Sequence, residues 1–351
     1  MDGRERVLMA LDGEIPDRVP CALNFYHVDL DDIAPQGYDW ESMIDAQFVH
    51  MSPSPEEAAF QQIARPYSPD TRLGTFSQRV TYAHWSYHPE TPPERNPLAR
   101  AESLEDLKRF PFPAVDAPYH VAGLREQVDA YHARGLAVGG NLPHLGGELF
   151  EAAWRLRGLE NFLLDLVERP MWADYLLDKL MGLACRNAET LARAGIDVLA
   201  LGDDVGAPVT MMIGPDMWCR FFKPRMAEII RVARAIKPDL RVIFHSDGCF
   251  EPIISHLIDI GVDGINPLQS EHMDAEKIRS RFGTRLALWG TVGSQTTFSY
   301  ATPDAIRAEV KLRIETLGPA GLVLSPTYDL NEPDVPWANI AAFLEAARAY
   351  G

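Results

Sequence analysis

Short apolar runs alternate with amphipathic segments from about Leu104 to the end of the chain, and this alternation restricts the fold more than any other feature. Strand, helix and strand repeated this often indicate parallel strands joined by right-handed crossovers, and hence an α/β fold. The predicted strands are 18–25, 136–143, 197–206, 241–248, 263–269, 285–293 and 321–330. Residues 214–236 are predicted as one amphipathic helix. A second helix, over 302–318, begins with Thr302 as N-cap and Pro303 in its first turn.

Two parallel architectures fit this alternation, a doubly wound sheet and a closed barrel. A doubly wound sheet that binds a dinucleotide needs a GxGxxG turn after its first strand, and the chain has neither that turn nor a GxxxxGK[ST] loop. A (β/α)8 TIM barrel instead places polar residues where its strands end. The ends of the predicted strands carry such residues: Asn141, His144, Asp203, Asp204, His245, Asp247, Asn266, Gln269, Trp289, Gln295, Tyr328 and Asp329. The sequence therefore predicts one TIM-barrel domain over residues 1–351.

The N-terminal part of the chain is less regular than the rest. Residues 82–100 contain four prolines, which exclude a long helix. We expect residues from about 29 to 100 to form an irregular lid or edge insertion, with one short strand at 75–85. The barrel is thus predicted to carry an elaborated N-terminal segment.

The charge of the chain excludes some classes of partner. With 33 basic and 50 acidic residues the formal net charge is -17, which disfavours binding to nucleic acid and to acidic membrane surfaces. The four cysteines form no CxxC pair, the first residues do not resemble a signal peptide, and no apolar run reaches the roughly 18 residues of a membrane span. These features predict a cytoplasmic protein with a small-molecule substrate.

The sequence HSDG at the end of a predicted strand is the most specific chemical signal. Residues i and i+2 of a strand lie on the same side, so His245 and Asp247 are expected to face one point. Together they offer a nitrogen and an oxygen ligand acceptable to zinc or another divalent metal, although two ligands do not complete a site. In the alternative interpretation, Asp247 accepts a hydrogen bond from the His245 ring or caps the next helix.

The sequence GDD supplies a second pair of candidate catalytic groups. Adjacent residues on a strand face opposite ways, so at most one of Asp203 and Asp204 is expected to point into the barrel mouth. There it can act as a general base or hold a polar group of a substrate. A solvated pair that caps the following turn is the alternative. In the last strand-end loop, Tyr328 is a candidate proton donor.

Five further residues are predicted to contact a substrate: Glu148, Asn266, Gln269, Trp289 and Gln295. Glu148 lies near a strand-to-helix junction, where a helix cap is an equal alternative. Amides at strand ends suit a polar substrate, but they also satisfy the backbone of loops. For Asn266 and Gln269 both interpretations stay open.

Several segments, in order along the chain, resemble the uroporphyrinogen decarboxylase superfamily, which also contains cobalamin-dependent methyltransferases. They are RERVLMALDGEIPDRVP, GDDVG, KPRMAEII, FHSDG, HLIDIGVDGINPLQ, WGTVGSQ, TPDAIRAEV and SPTYDLNEPDVPWANIAAFLEAA. This resemblance implies a (β/α)8 barrel with a deep mouth. Genuine uroporphyrinogen decarboxylases carry an arginine-rich RxAGR-type segment after the first strand, whereas this chain has no arginine between Arg18 and Arg65.

The methyltransferase branch is the more similar one. In its corrinoid enzymes a His-x-Cys pair and a later cysteine hold zinc. His245 matches that histidine, Asp247 stands in place of the first cysteine, and Tyr328 falls at or beside the second. The GDD segment resembles members associated with demethylation of methoxy groups. The resemblance thus implies a methyltransferase for a small methoxy or thiol substrate. Its cobalamin would come from outside the chain, either free or on a separate corrinoid protein, because the chain has no DxHxxG segment.

Two alternatives belong to other functional classes. One is a decarboxylase or lyase for a small carboxylate, which would use Asp203 or Asp204 together with Tyr328. The other is a non-catalytic barrel that binds a ligand. The oligomeric state stays open for all three, with a homodimer as the commonest assembly of such a chain.

Overall fold

The computed structural model describes residues 1–25, 28–31, 33–51, 96–112, 123–142, 147–293, 297–327, 330 and 335–351. In this part of the chain, seven strands form one parallel sheet in which each strand pairs with the next along the sequence. They are β1 (Ala46–His50), β2 (Ala137–Asn141), β3 (Val198–Gly202), β4 (Arg241–His245), β5 (Gly264–Asn266), β6 (Ala287–Trp289) and β7 (Leu322–Val323). The predicted parallel α/β fold is confirmed.

Helices precede, separate and follow these strands. They are α1 (Gly3–Leu11), α2 (Leu104–Arg109), α3 (Leu124–Ala133), α4 (Phe150–Arg157), α5 (Leu159–Glu168), α6 (Pro170–Ala194), α7 (Pro215–Phe221), α8 (Lys223–Ile236), α9 (Ile254–Asp259), α10 (Ala275–Phe282), α11 (Pro303–Leu317) and α12 (Trp337–Tyr350). Short 3-10 turns occur at Glu41–Met43, Glu251–Ile253 and Gly283–Arg285. No helix formed by the described residues is long and apolar enough to cross a membrane.

Two helix predictions have different outcomes. The helix at 302–318 is confirmed as α11, where the Thr302 side chain accepts a hydrogen bond from the Ala305 N–H. The single helix predicted over 214–236 is wrong, because the chain breaks at Phe222 into α7 and α8. Pro224 lies in the first turn of α8. Its ring has no N–H and would clash with the preceding turn of a continuous helix.

The sheet curls, because α1 contacts β1, β2 and β7 although β1 and β7 lie at opposite ends of the strand order. Between β7 and β1 lies the segment 20–22. Ala22 N–H donates to Leu324 O at 2.8 Å, Leu324 N–H donates to Pro20 O at 2.8 Å, and Asp45 N–H donates to Cys21 O at 2.7 Å. The strand predicted at 18–25 is therefore a single bridge between Cys21 and Leu324.

Strand β1 was not predicted. It lies within the segment that the sequence suggested is an irregular lid, yet it pairs with β2 over its full length. Most of the remaining segment, 52–95, lies outside the described residues, as does the short strand predicted at 75–85.

Buried apolar side chains fill both sides of the sheet. A large cluster packs between the strands and the outer helices, and a smaller one fills the inner face. The inner cluster combines α1 with alternate residues of the strands: Val7, Ala10, Leu11, Ala22, Ala46, Phe48, Ala137, Val198, Ala200, Ile243, Ala287, Trp289 and Val323. Burial of each large aliphatic or aromatic side chain contributes about 1.5–3 kcal/mol. Helix α1 thus covers the inner face of the sheet at one end.

Candidate active site

The carboxyl ends of β3, β4 and β5 bring predicted site residues together. His245 is the last residue of β4 and Asn266 the last of β5, and the two are partners in the strand register. Asp204 and Asp247 follow the ends of β3 and β4, and Gln269 follows the end of β5. Parallel strands end at one rim of a sheet, so residues distant in sequence meet there.

Asp204, His245 and Asp247 form the centre of the site. Each offers one ligand atom, and these atoms all lie within 4.8 Å of one another, the one such group of three found among the described residues. His245 Nε2 lies 3.6 Å from Asp204 Oδ1. One imidazole nitrogen and two carboxylates suit zinc or another hard to borderline divalent cation, and they include no soft thiolate. The residues present therefore fit a divalent metal.

The Asp204 side chain is only 18% exposed, and this burial affects the protonation of its carboxyl group. Removal of water, followed by the negative charge of Asp247, raises the pKa of the Asp204 carboxyl group. The nearby His245 ring and the Asp247 N–H, which donates to Asp204 Oδ1 at 2.8 Å, act in the opposite direction. Asp204 is thus a carboxyl group that can retain a proton above its usual range.

Two neighbours fix the His245 ring. Its Nδ1 lies 2.7 Å from Asn266 Oδ1, and the Asn266 amide donates from Nδ2 to Trp289 O at 3.2 Å. The Phe25 ring stacks on the imidazole with centroids 3.9 Å apart and an interplanar angle of 18°. One ring nitrogen and one ring face are therefore occupied by protein groups.

Asp247 is held by an amide in a similar way. Gln269 donates from Nε2 to Asp247 Oδ1 at 3.0 Å and accepts from the Gly248 N–H at 2.6 Å. The loop after β3 supports this turn closely, since a Cβ on Gly206 would lie 2.1 Å from Asp247 O. Only glycine fits at that position.

Asp203 faces away from this centre, as expected for the neighbour of Asp204. It is fully buried, and its carboxylate accepts from the N–H groups of Phe150 at 2.8 Å, Glu151 at 3.1 Å and Leu149 at 3.3 Å, at the start of α4. Burial raises the pKa of Asp203 to about 8, although the three N–H donors oppose this shift. The side chain joins β3 to α4.

Glu148 is also a link between these elements. It is 4% exposed, its Oε2 accepts from the Gly202 N–H at 2.6 Å, and its own N–H donates to Gly202 O at 3.0 Å. Burial, followed by the negative charge of Asp203, raises the pKa of Glu148 well above its usual range. Glu148 is therefore bonded to the end of β3 and does not cap α4, whose N-cap residue is Leu149.

Sequence reasoning missed three residues beside the centre: Phe25, Glu151 and Arg155. Glu151 Oε2 accepts from the Asp204 N–H at 3.3 Å, and Arg155 donates to Glu151 Oε1 at 2.8 Å with both side chains buried. The signal for this pair was a Glu and an Arg four residues apart in a helix whose other residues are mostly apolar. No comparable signal marks Phe25.

The remaining predicted residues lie elsewhere. Trp289 is fully buried in the inner cluster, edge-on to Phe48 with ring centroids 5.9 Å apart, so the structure corrects its assignment to a substrate surface. Its apolar surroundings make it part of the core. Gln295 and Tyr328 lie outside the described residues, as do His144 and Asp329.

Comparison with known proteins points to one family. A family model described as uroporphyrinogen decarboxylase (URO-D) matches residues 92–350. A methylcobamide:CoM methyltransferase, MtaA, of Methanosarcina barkeri is 26% identical over 216 residues, which are 61% of this chain and 60% of that protein. The same enzyme from the Fusaro strain is 25% identical over 216 residues. The chain thus aligns with less than two thirds of the length of these relatives.

A solved structure, a methyltransferase from Methanosarcina mazei, has the same fold. It superimposes with a TM-score of 0.68 and 19% identity, covering 100% of this chain and 99% of that one.

Proposed function

Because the chain belongs to the uroporphyrinogen decarboxylase (URO-D) family, we propose that it is a methyltransferase with Asp204, His245 and Asp247 at its reaction centre. The relatives of known activity transfer a methyl group between a methylcobamide and CoM. For this chain the substrate is a small methoxy or thiol compound, and the methyl carrier is a cobalamin supplied by a separate corrinoid protein. Location in the cytoplasm and assembly as a homodimer remain predictions.

The proposal includes closure of the sheet into a (β/α)8 barrel. The segment 20–22 supports closure, because its backbone bonds to both edges of the seven-stranded sheet. It would stand as the eighth strand. The site would then lie at the mouth, where the strands end.

The site is proposed to hold zinc or another divalent cation through His245 and Asp247, with the Asp204 carboxyl group beside the ion and not bound to it. Such an ion would supply a Lewis acid for the oxygen or sulfur of the substrate. Asp204 adds a proton donor beside it, because burial raises the pKa of its carboxyl group. With a methoxy substrate, the C–O bond would break with its methyl group going to the reduced corrinoid carrier, and Asp204 would supply the proton to the oxygen that is left.

The charge of the site disfavours the decarboxylase alternative. A carboxylate substrate would need a basic partner, and the nearby Arg155 is already bound to Glu151. The ligand-binding alternative predicts that metal and methyl transfer are both absent.

The convergence of three ligand atoms within 4.8 Å carries this proposal. The test combines metal analysis with methyl transfer between methylcobalamin and thiol or phenol acceptors, and from methoxyarenes to reduced cobalamin. We expect about one zinc per chain in wild type and a loss of at least about 10-fold in zinc affinity for His245→Ala and Asp247→Asn. Turnover of Asp204→Asn should fall by about 10²–10⁴-fold.

Asp304→Asn is the matched control, because its carboxylate is 96% exposed and bonded to Arg307. It should keep wild-type metal content and turnover. A wild-type protein that binds no metal and moves no methyl group in any combination contradicts the proposal.

A further inference from the structure

We propose that Asn266 is a positioning residue that fixes the proton of the His245 ring on Nδ1 and leaves the Nε2 lone pair facing Asp204 and Asp247. This deepens the proposed function, on which the role of the lone pair rests. The state of the ring itself can be measured without any reaction. Asn266 then acts through His245, in place of the contact with a substrate expected from the sequence.

The orientation of the Asn266 amide follows from its partner on β6. The Asn266 Nδ2 atom lies 3.2 Å from Trp289 O, and a backbone carbonyl oxygen can only accept a hydrogen bond. The NH2 end of the amide must therefore face Trp289. A flipped amide would place two oxygen atoms against each other.

This orientation determines the His245 tautomer. With its NH2 end at Trp289, the amide presents Oδ1 to His245 Nδ1 at 2.7 Å. An amide oxygen only accepts, so Nδ1 must carry the hydrogen. In a neutral imidazole the other nitrogen, Nε2, then has a free lone pair.

Contacts on the other side of the ring agree with this assignment. His245 Nε2 is 3.6 Å from Asp204 Oδ1, which is too long for a hydrogen bond that would hold a proton on Nε2. That oxygen already accepts from the Asp247 N–H at 2.8 Å. Among the described contacts, Nδ1 is the nitrogen with a strong partner.

The environment holds this arrangement in place. Asn266 is 2% exposed, so water competes poorly for its amide. The Phe25 ring lies 3.9 Å from the imidazole centroid and restricts rotation of the ring. His245 and Asn266 are register partners on adjacent strands, so the sheet itself sets their separation.

The consequence concerns what the site can bind. A lone pair on Nε2 can coordinate a cation or accept a proton, whereas an N–H at that position would repel the cation. Gln269 holds Asp247 in a similar way, through a different pair of bonds. Loss of Gln269 should therefore weaken the site and leave the His245 tautomer unchanged.

The test is nitrogen NMR on metal-free protein labelled with ¹⁵N-histidine, at a pH where free imidazole is neutral. The His245 signals are assigned by their loss in His245→Gln. We expect a protonated Nδ1 and an unprotonated Nε2 in wild type, and loss of that single pattern in Asn266→Leu. Asn266→Asp keeps an oxygen acceptor and should restore a protonated Nδ1.

Asn339→Leu is the matched control. Asn339 is a buried amide whose Nδ2 donates to Phe298 O at 2.7 Å and Ala301 O at 3.0 Å, on another part of the molecule. Its removal should cost stability and leave the His245 signals unchanged. Gln269→Leu should also keep them. Zinc titration should show about 10–100-fold weaker binding for Asn266→Leu.

A wild-type ring protonated on Nε2 alone, or on both nitrogens, overturns the proposal, even if Asn266→Leu does not fold. An unchanged His245 pattern in a folded Asn266→Leu variant also overturns it. If the tautomer depends on Asn266 but no methyl group moves in any assay, the proposed function fails and the inference stands.

Discussion

Glu148 places a carboxyl group where water does not reach, beside the equally buried Asp203. Burial and the charge of Asp203 raise the pKa of Glu148 well above its ordinary value of 4.5. The folded protein therefore keeps a proton that the unfolded chain loses above about that pH. Unfolding releases this proton, so the free energy of unfolding contributed by Glu148 falls as pH rises above 4.5.

Glu148→Gln should weaken this pH dependence, because an amide of similar shape cannot titrate. Between about pH 5 and pH 7, the variant should lose a negative slope of up to about 1.4 kcal/mol per pH unit. Urea unfolding of both proteins across that range measures the slope. Glu160→Gln, at an exposed position on α5, should behave as wild type. Equal slopes for wild type and Glu148→Gln would contradict the proton assignment.

At the scale of residues, sequence reasoning found the centre and missed its surroundings. The two-residue period of a strand was enough to pair His245 with Asp247, and strand ends were enough to bring Asp204 and Asn266 near them. Phe25 lies in an irregular segment far away in sequence, and nothing in its neighbourhood indicates which ring it covers. Whether an amide faces substrate or a neighbouring side chain is likewise decided by tertiary contacts.

At the scale of elements, β1 and β2 are paired strands of which the sequence predicted β2 and not β1. Phe48 and Gly139 are register partners, and the Phe48 ring occupies the space of the missing side chain, since a Cβ on Gly139 would lie 2.1 Å from Phe48 Cε1. Strand β1 follows an irregular stretch that contains prolines, which obscured where the strand begins. The six longer predicted runs had clearer boundaries, which is why they were recognised.

Gly139→Ala should destabilise the protein by about 1–3 kcal/mol, because the added methyl group displaces the Phe48 ring from its place in the inner cluster. Chemical denaturation measures the change. Gly214→Ala is the control, since no atom outside its chain neighbours lies within 4 Å of the place that its added methyl group would take, and it should cost less than about 1 kcal/mol. The double change Gly139→Ala with Phe48→Leu should recover part of the loss. If the double variant recovers no stability, the added methyl group does not act through the Phe48 ring.

At the scale of the whole molecule, Asp45 lies just before β1, at one edge of the curled sheet. Its buried carboxylate accepts from Arg6 Nη1 at 2.7 Å and from the Cys21 N–H at 2.9 Å, and it also pairs with Arg18. These contacts connect α1, the segment 20–22 and the start of β1. The alternation of elements predicted the parallel α/β architecture, but no local pattern identifies Asp45 as the buried charge that connects these segments.

Asp45→Asn should lower the free energy of unfolding by up to about 3–5 kcal/mol, because it removes the buried carboxylate that Arg6 and Arg18 share and leaves Arg6 with Asp17 alone. Denaturant midpoints and slopes measure the loss. Asp12→Asn also removes one acidic partner of an arginine, Arg241, but Asp12 is 40% exposed. That variant should lose less than about 1 kcal/mol. Similar losses for the two would show that Asp45 has no special role in connecting α1 and the segment 20–22 to β1.

Helix α1 and the inner apolar cluster have a further consequence for the order of events. Within the described residues, the space beneath His245 is filled from α1 up to Trp289, so molecules reach the histidine from the rim alone. In the proposed reaction, a corrinoid protein bound at that rim would block the entrance to the site. The small substrate would then have to bind before the corrinoid protein. Its product could dissociate only after the corrinoid protein had left.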